Sequence, residues 1–247
     1  MKTIVIIQAR MNSERLPGKV LLPLAGKPML GRIVERIRTC KRIDDLIIAT
    51  TKNPIDDIVV TVAKTSGCAV FRGDEYDVLS RYYYAATTMN ANVVIRITAD
   101  CPFIDPFIID EMVKRFKKRN TGNNTCDYLS NIVKRTFPRG LDVEIFRYDI
   151  LEKIFKVATD ITHREHVTMY IHMNPKEFAI ENYEANENMS SLRWTVDEKA
   201  DYSMAVKVYD YLFPQNNNFR YNDILKLMQQ HPEISVINAL VKQKKTQ

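Results

Sequence analysis

The sequence has no long apolar run and few glycines, and each shortage excludes a class of protein. No apolar run approaches the roughly 18 residues that a membrane span requires. The opening stretch MKTIVIIQAR has too short an apolar core, and no small-residue cleavage site, for a secretory signal. Seven glycines and ten prolines in 247 residues argue against a collagenous, linker-rich or disordered chain. We therefore expect a compact protein in the cytoplasm, with no membrane partner.

Cysteine is scarce as well. The four cysteines lie far apart and form no CxxC pair, so the sequence indicates neither a zinc site nor a disulfide framework. In a reducing compartment, mostly buried thiols are the expected state of Cys40, Cys68, Cys101 and Cys126.

Positive charge is present but unevenly distributed. The chain carries a net charge of +6 and has a pI near 9.0. Residues 1–42 contain ten Lys or Arg and two Glu, a local net charge of +8, so the rest of the chain sums to about −2. A smaller basic run, Lys242, Lys244 and Lys245, lies on an expected frayed tail. Charge concentrated around one loop suits a small polyanion better than a long one, and we expect no nucleic-acid partner.

Four short runs rich in β-branched residues predict buried parallel strands, because they are apolar throughout and do not alternate: TIVIIQ, DLIIAT, CAVF and NVVIRIT. Helices are predicted between and after them, at about residues 28–39, 54–66, 76–90 and 105–119. This alternation predicts an α/β fold with a doubly wound, mostly parallel sheet.

The pattern changes after residue 120. The stretch RNTGNNTCD is polar and turn-rich, and YLSNIV and RGLDVEIF are predicted to be paired strands of a smaller β-rich insertion. Two further strands are predicted at FAIENYEA and LRWTVD. Further helices are predicted at about 148–158, 162–173, 199–213 and 221–230.

Three polar clusters lie where predicted strands end: QARMNSERLPGK, RITADCP and TVDEKAD. Ligands of open α/β sheets bind at the carboxyl ends of the strands, so the clusters are expected to meet. The first cluster offers Arg10, Arg15 and Lys19 to phosphate oxygens, and Gly18 lets the backbone approach a ligand. The others offer Asp100 and Asp197. Cations opposite carboxylates predict a site for a nucleotide and Mg²⁺.

No glycine-rich phosphate motif completes this arrangement. Neither the P-loop pattern, GxxxxGK followed by Ser or Thr, nor GxGxxG occurs in the chain. A bound anion must therefore be held in another way.

Each of these features also has a plain structural interpretation. The basic loop can be a solvated surface loop. Asp100, before Cys101 and Pro102, fits a strand-ending turn, and Asp197 fits the N-cap of the next helix. Glu144 alternates within LDVEIF and can face solvent.

Six segments occur in the order QARMNSERLPGKVLLPLAGKPML, FRGDEYDVLSRYYYAA, RITADCPFIDP, FPRGLDVEIF, REHVTMYI and RWTVDEKADY. The first resembles the signature loop of the cytidylyltransferases that activate acidic sugars, a group that includes the acylneuraminate and 3-deoxy-manno-octulosonate cytidylyltransferases. All six resemble segments of spore coat polysaccharide biosynthesis SpsF-type proteins, from about residue 3 to residue 212. Six ordered segments are more specific than any one motif.

The resemblance implies one Rossmann-like, glycosyltransferase-A-like nucleotidyltransferase domain over residues 1–247, with an insertion at about 127–180 for the acceptor site and dimerisation. It implies an enzyme that transfers CMP from CTP to an acidic 3-deoxy-2-keto sugar and releases pyrophosphate, for surface polysaccharide biosynthesis. Mg²⁺ is the implied cofactor and a homodimer the implied assembly.

The same resemblance assigns individual roles. Arg10, Lys19, Asp100 and Asp197 would be catalytic, with Asp100 and Asp197 holding the metal. The implied nucleotide-binding residues are Arg10, Ser13, Arg15, Gly18, Lys19, Gly73 and Arg81, the last near the cytosine or ribose. The implied acceptor-binding residues are Arg139, Asp142, Glu144, Arg164 and His166, although Arg164 and His166 also fit a subunit contact.

Other functions stay open at this point. A nucleotidyltransferase of the same fold with another nucleotide or a sugar-phosphate acceptor would share GKPML, but such enzymes usually carry Gly-Gly where this chain reads QARMNS. A metal-dependent glycosyltransferase is disfavoured because the fourth strand does not end in DxD. A non-catalytic nucleic-acid-binding module, or a protein that only binds nucleotide, ranks lower.

Three histidines cluster in THREHVTMYIHMNP: His163, His166 and His172. His163 and His166 can share a helix face, but the HExxH spacing is missing and no acid completes a ligand set. We therefore expect no transition-metal site there.

Overall fold

Nine strands occur in residues 1–121 and 125–243, the parts of the chain that the computed structural model describes. They are β1 (Thr3–Gln8), β2 (Pro23–Leu24), β3 (Lys27–Pro28), β4 (Asp45–Thr51), β5 (Ala69–Gly73), β6 (Val93–Thr98), β7 (Tyr128–Ser130), β8 (Glu144–Arg147) and β9 (Ile180–Asn182). Seven form one sheet in the order β5-β4-β1-β6-β8-β7-β9, and β2 pairs with β3 in a separate hairpin. Within the large sheet, β8 is antiparallel to β6 and β7, and the other neighbours are parallel. The predicted mostly parallel α/β sheet is confirmed.

Helices cover both faces of this sheet. In the described residues they are α1 (Met29–Arg38), α2 (Asp57–Thr65), α3 (Val78–Thr88), α4 (Pro106–Arg119), α5 (Tyr148–Val157), α6 (Ile161–Glu165), α7 (Met169–Met173), α8 (Lys199–Leu212), α9 (Tyr221–Gln230) and α10 (Pro232–Val236). None of them is long and apolar enough to cross a bilayer.

The central strands are mostly apolar because both of their faces are covered. Along β1, Val5 and Ile7 join the core cluster formed with α1, α4 and α8, whereas Ile4 and Ile6 join the cluster formed with α3 and α5. Successive side chains of a strand point to opposite faces, so one strand serves two cores.

The structure differs from two of the predicted elements. The helix predicted at 162–173 is two short helices, α6 and α7, which are separated at His166–Thr168. LRWTVD is not a strand of the sheet, because it changes partner along its length. Trp194 N donates to Arg139 O at 2.7 Å, and Val196 N donates to Asp100 O at 2.8 Å. This segment therefore joins the chain before β8 to the turn after β6. The bond from Val196 to Asp100 brings the neighbouring Asp197 close to that turn.

Two smaller predictions concern other parts of the chain. Cys68, Cys101 and Cys126 are buried thiols, as expected, and Cys40 is half-buried. Of the polar stretch RNTGNNTCD, residues 122–124 lie outside the described residues, as do Lys244 and Lys245 of the basic tail.

Candidate active site

The loop that follows β1 is closed by its own backbone. Gly18 N and Ser13 N both donate to Met11 O at 2.9 Å, and Met11 N donates to the buried carboxylate of Asp56 at 2.7 Å. Gly18 has φ 71°, a left-handed conformation that glycine adopts without strain, and begins the 3₁₀ turn Lys19–Leu21. The turn places Lys19 on the inner side of the loop.

Lys19 contacts both of the carboxylates that the sequence analysis predicted to be metal ligands. Its Nζ lies 2.8 Å from Asp197 Oδ1, 3.3 Å from Asp100 Oδ2 and 3.0 Å from the carbonyl oxygen of Val196. Two aspartates from distant parts of the chain therefore converge on one ammonium group, beside the basic loop.

The second oxygen of Asp197 is held by two arginines. Arg15 Nη2 lies 2.8 Å from Asp197 Oδ2, and Arg193 Nη2 lies 3.0 Å from the same atom. We call Arg15, Lys19, Asp100, Asp197 and Arg193 the Lys19 cluster. It contains three cations and two carboxylates.

Arg193 is held in place by hydrogen bonds to the start of α8 and to the C-terminal segment. Its guanidinium donates to both oxygens of the buried Asp201, at 2.8 and 2.9 Å. Asn238 Nδ2 donates to Asp201 Oδ1 and to Arg193 O, each at 2.9 Å. The N-cap of α8 is Glu198, so the N-cap interpretation of Asp197 is wrong. Asp197 lies one residue earlier, and its side chain is directed into the Lys19 cluster.

The charges of the cluster determine its ionisation. Burial raises the pKa of Asp100, but the Lys19 ammonium and hydrogen bonds from Thr98, Cys101 and Lys19 outweigh burial and hold this pKa at about 2. Burial lowers the pKa of Lys19, but Asp100 and Asp197 outweigh it, and the net direction is upward. All the groups with shifted pKa here are thus charged at neutral pH.

A cleft of about 260 Å³ opens onto four members of the Lys19 cluster, Arg15, Lys19, Asp100 and Asp197. Residues of the first loop line one wall, with Arg10, Ser13, Arg15 and Lys19 among them, and Thr98 and Asp100 line the end of β6. The structure therefore brings the predicted phosphate-binding residues and the predicted metal ligands into one cavity. Glu165 of α6 also lines it.

Gly73, at the end of β5, is adjacent to Arg81 of α3. A Cβ on Gly73 would lie 2.5 Å from Arg81 Cγ, so only glycine leaves room for this side chain. Arg81 is 1% exposed, and its Nε and Nη1 have no hydrogen-bond partner in the described part of the chain. Burial lowers the pKa of Arg81, with Arg10 as a further cause in the same direction. A buried cation with two unused donors is unusual in a structural role.

Glu144 does not face solvent, so that interpretation is wrong. It is 1% exposed, and it accepts hydrogen bonds from Tyr128 Oη and Thr168 Oγ1, each at 2.6 Å, and from Arg96. His172 Nε2 lies 3.1 Å from Tyr128 Oη. We call these five residues the Glu144 network. Both carboxylate oxygens of Glu144 are engaged inside this network, and its contact with an acceptor stays a prediction.

Arg139 and Asp142 lie on the segment that leads into β8. Arg139 N donates to Leu192 O at 3.0 Å, which sets the segment beside Arg193. The Arg139 guanidinium forms no ion pair with any residue in 1–121 or 125–243. Asp142, in contrast, accepts two hydrogen bonds from Arg135 at 2.6 and 2.8 Å.

Arg164 and His166 lie at the end of α6. Arg164 donates to Asp77 and to the carbonyl oxygen of Phe155, which ties α6 to the start of α3. His166 is the C-cap of α6 and is half-buried. This attachment directs the neighbouring Glu165 toward the cleft.

The three histidines are separated in the structure. His163 Nε2 contacts Met173 Sδ at 3.5 Å, and His172 belongs to the Glu144 network. Within residues 1–121 and 125–243, no group of three or more His, Cys, Asp or Glu side chains is arranged to hold a metal ion. Any metal at the Lys19 cluster must therefore take part of its coordination from a ligand.

Sequence reasoning missed several residues of the site: Thr98, Glu165, Arg193, Asp201 and Asn238. Arg193, Asp197 and Asp201 stand four residues apart, and this charge spacing is a signal that could have identified them. No sequence signal identifies Asn238, because its hydrogen-bond partners lie 37 and 45 residues away in the chain.

The sequence model described as cytidylyltransferase matches residues 4–245. The chain is 35% identical over 211 residues to the spore coat polysaccharide biosynthesis protein SpsF of Bacillus subtilis. The match covers 83% of this chain and 85% of that protein. It is 33% identical over 118 residues to the 3-deoxy-manno-octulosonate cytidylyltransferase of Chloroherpeton thalassium, 47% of this chain and 46% of that one.

A solved cytidylyltransferase structure is also similar to this chain. The cytidylyltransferase from Leptospira borgpetersenii serovar Hardjo-bovis superposes with a TM-score of 0.91 at 35% identity, covering 99% of this chain and 100% of that one. The likeness therefore extends over the whole described sheet and its helices.

Proposed function

Because the chain belongs to the cytidylyltransferase family, we propose that it transfers CMP from CTP to a hydroxyl of an acidic 3-deoxy-2-keto sugar and releases pyrophosphate. Family membership makes it a CTP-dependent nucleotidyltransferase. The observation that carries the proposal is the convergence of Asp100 and Asp197 on Lys19 beside a basic loop.

The donor atoms of the site fit Mg²⁺. Asp100, Asp197 and the Val196 carbonyl surround one cation with oxygen alone, and Mg²⁺ prefers oxygen ligands. Two carboxylates leave coordination positions for phosphate oxygens and water, which is how Mg²⁺ is usually bound with nucleotides. When bound, the ion would neutralise phosphate charge and polarise the α-phosphoryl group.

The chain's own residues bind and orient the triphosphate. Arg10, Arg15 and Lys19 line the cleft as cations for the phosphate oxygens, with Ser13 as a hydroxyl donor. In-line phosphoryl transfer depends mainly on positioning and charge neutralisation. Lys19 and the two arginines would stabilise the pyrophosphate as the bond to the α-phosphorus breaks.

Arg81 gives a reason for cytosine selectivity. A guanidinium has donors only, and cytosine presents two neighbouring acceptors, O2 and N3, on its pairing edge. Uracil carries a hydrogen on N3, which would face the arginine donors. An unused donor of Arg81, either Nε or Nη1, would therefore suit N3 of cytosine better than the N3–H of uracil.

The acceptor is assigned to the wall around Arg139. Its guanidinium forms no ion pair with a carboxylate of the described residues, and its backbone is bridged to that of Arg193, whose guanidinium contacts Asp197. It would bind the carboxylate of an acidic sugar, and acceptor contacts by Asp142, Arg164 and His166 are part of the same proposal. The activity named for the Chloroherpeton thalassium relative supports this acceptor class.

The setting of the enzyme is part of the same proposal. We assign it to surface polysaccharide biosynthesis in the cytoplasm, as a homodimer of one-domain subunits that meet through residues of the 127–180 insertion. The SpsF relative supports the pathway.

A thermal-shift comparison of CTP, UTP, GTP and ATP with Mg²⁺ tests the nucleotide. At about 100 times Kd, a bound ligand adds roughly 2.7 kcal/mol, which raises Tm by about 5–10 °C in a protein of this size. We expect this shift with CTP alone. A shift with UTP alone would overturn the proposal.

Variants of Arg81 test the base contact, and pyrophosphate release tests the acceptor. Arg81→Met is expected to lower the preference for CTP over UTP at least about tenfold, while Arg81→Lys keeps a donor and part of that preference. Pyrophosphate release with 3-deoxy-manno-octulosonate, compared with a neutral hexose and a hexose 1-phosphate, identifies the acceptor class. Release with the sugar phosphate alone would contradict the acidic keto sugar.

A further inference from the structure

Lys19 occupies the place where the two aspartates can hold a cation. Its Nζ contacts three oxygens, from Asp100, Asp197 and Val196, at 2.8 to 3.3 Å. The Lys19 side chain is only 12% exposed, so the ammonium is enclosed rather than passing over the surface. The oxygens that fit a divalent ion are thus the partners of a resident cation of the chain.

The charge of the cluster is already compensated without any metal. Asp197 is shared by Lys19, Arg15 and Arg193, and Asp100 is shared by Lys19 and the Thr98 hydroxyl. A free divalent ion would add two positive charges within a few ångströms of an ammonium and two guanidinium groups. Like charges at this distance repel strongly in a partly buried site.

A metal–nucleotide complex has the opposite charge balance. The triphosphate of CTP carries about four negative charges when fully ionised, so its complex with one divalent ion has net negative charge. Its phosphate oxygens offer Lys19 and Arg15 new partners at the moment when the aspartates turn to the metal. The cluster therefore suits the complex and opposes the free ion.

We infer that Lys19 excludes free divalent cations from the Asp100–Asp197 pair and gives up that position only when a nucleotide triphosphate supplies its ammonium with another partner. This rests on the proposed function for the identity of the nucleotide. It makes metal and nucleotide binding mutually dependent, and such coupling is reciprocal.

Binding of Mn²⁺, followed by electron paramagnetic resonance of the free ion, tests the inference without turnover. The proteins compared are the wild type, Lys19→Met and Arg10→Met. Arg10 lies in the same cleft, but its ion pair is with Glu75 at 3.6 Å, so its replacement removes one positive charge without freeing the aspartates. Lys19→Gln, which keeps a polar group, guards against a packing defect, and melting curves check folding.

Without nucleotide, we expect Lys19→Met and Lys19→Gln to bind Mn²⁺ at least about tenfold more tightly than the wild type and Arg10→Met. Adding Asp197→Asn to Lys19→Met should remove that gain, which places it at the aspartates. CTP should tighten Mn²⁺ binding in the wild type and do so much less in Lys19→Met.

Three results would overturn the inference. They are equal or weaker Mn²⁺ binding by folded Lys19 variants, an equal gain in Arg10→Met, and a gain that survives Asp197→Asn. A gain in the Lys19 variants with no effect of CTP on the wild type has a different meaning. It supports exclusion by Lys19 and counts against CTP as the nucleotide, so the two proposals fail separately.

Discussion

The Glu144 network and the Lys19 cluster are both built on β6, yet their charges have different surroundings. Arg96, within the strand, meets a carboxylate that is 1% exposed. Asp100, just beyond its end, is 25% exposed, and its partner Lys19 is 12% exposed. The same strand therefore carries one ion pair inside the protein and another at the cleft.

The difference lies in which partners can be exchanged. The carboxylate of Glu144 is bonded by a guanidinium and two hydroxyl groups, and nothing from solvent reaches it. In the Lys19 cluster, each carboxylate has cationic partners that also line a cleft. A closed pair fixes geometry, whereas an open one is available to a ligand. Substitutions in each region test this contrast.

Replacing Arg96 should have the largest effect on folding. Arg96→Met leaves Glu144 buried without its counter-ion, and breaking a buried pair in this way costs about 3–5 kcal/mol. Urea denaturation of the variant and the wild type measures this loss. Arg96→Lys, which keeps the charge, should lose less.

In Arg96→Met, the dependence of stability on pH that comes from Glu144 should change sign. Burial raises the pKa of Glu144, but Arg96 and the hydrogen bonds outweigh it and hold this pKa below its usual 4.5. The wild-type contribution of Glu144 is thus present above pH 4.5 and is lost as the pH falls through the lowered value. Without Arg96, burial raises the pKa, so the variant should lose stability as the pH rises from 4 to 8. A loss that is independent of pH would show that Glu144 is not the group concerned.

Gly140→Ala should have the next largest effect on stability. The φ of Gly140 is +105°, and a Cβ there would lie 2.4 Å from Thr195 N, in the segment that carries Arg193 and Asp197. Gly140→Ala should destabilise by about 2–4 kcal/mol, from backbone strain and overpacking together. Gly26→Ala is the matched control, because Gly26 has φ +81° with open space around the added atom. Equal losses of free energy in the two variants would contradict the close approach.

Asp100→Ala should affect turnover rather than folding. Removing one well-aimed electrostatic group lowers kcat by at least about a hundredfold. Asp100 lies at the cleft, and Lys19 keeps Asp197 and Val196 as partners, so the free energy of unfolding should change little. Pyrophosphate release and a melting curve measure both quantities. Near-normal turnover would exclude Asp100 from the reaction.

Asn238→Ala should have the smallest combined effect on stability and kcat. Asn238→Ala removes the amide that bonds Asp201 and Arg193 O, and the expected loss is about 1–3 kcal/mol for leaving buried polar groups unpaired. Since Arg193 keeps both oxygens of Asp201, kcat should fall only a few-fold. A hundredfold loss of kcat with unchanged stability would mean that the C-terminal segment acts on the reaction directly.

The part of the fold that follows from local pattern was predictable. β1, β4, β5 and β6 are mostly apolar runs, and the rule that ligands gather at carboxyl ends places Lys19 and Asp100 together. Asp197 was correctly grouped with them for the wrong reason. Its segment is not a strand, and it reaches the site because Val196 bonds to the turn at Asp100.

The rest depended on long-range partners. Alternation in LDVEIF could not show which face Glu144 takes, because its partners Arg96, Tyr128 and Thr168 come from three other elements. The break between α6 and α7 has the same origin, since Thr168 turns its hydroxyl toward Glu144 there. A tertiary hydrogen bond overrides helical spacing at that point.

The opposite direction of β8 has a consequence for which parts of the sheet can change separately. Because β8 pairs antiparallel with β6, residues 139–143 arrive at the sheet from the cleft edge and end at Glu144, opposite Arg96. Changes in that approaching segment leave the ladders that join β1 to β4 and β6 as they are. The segment proposed to face the acceptor can thus vary in sequence without rebuilding the strands beside the basic loop.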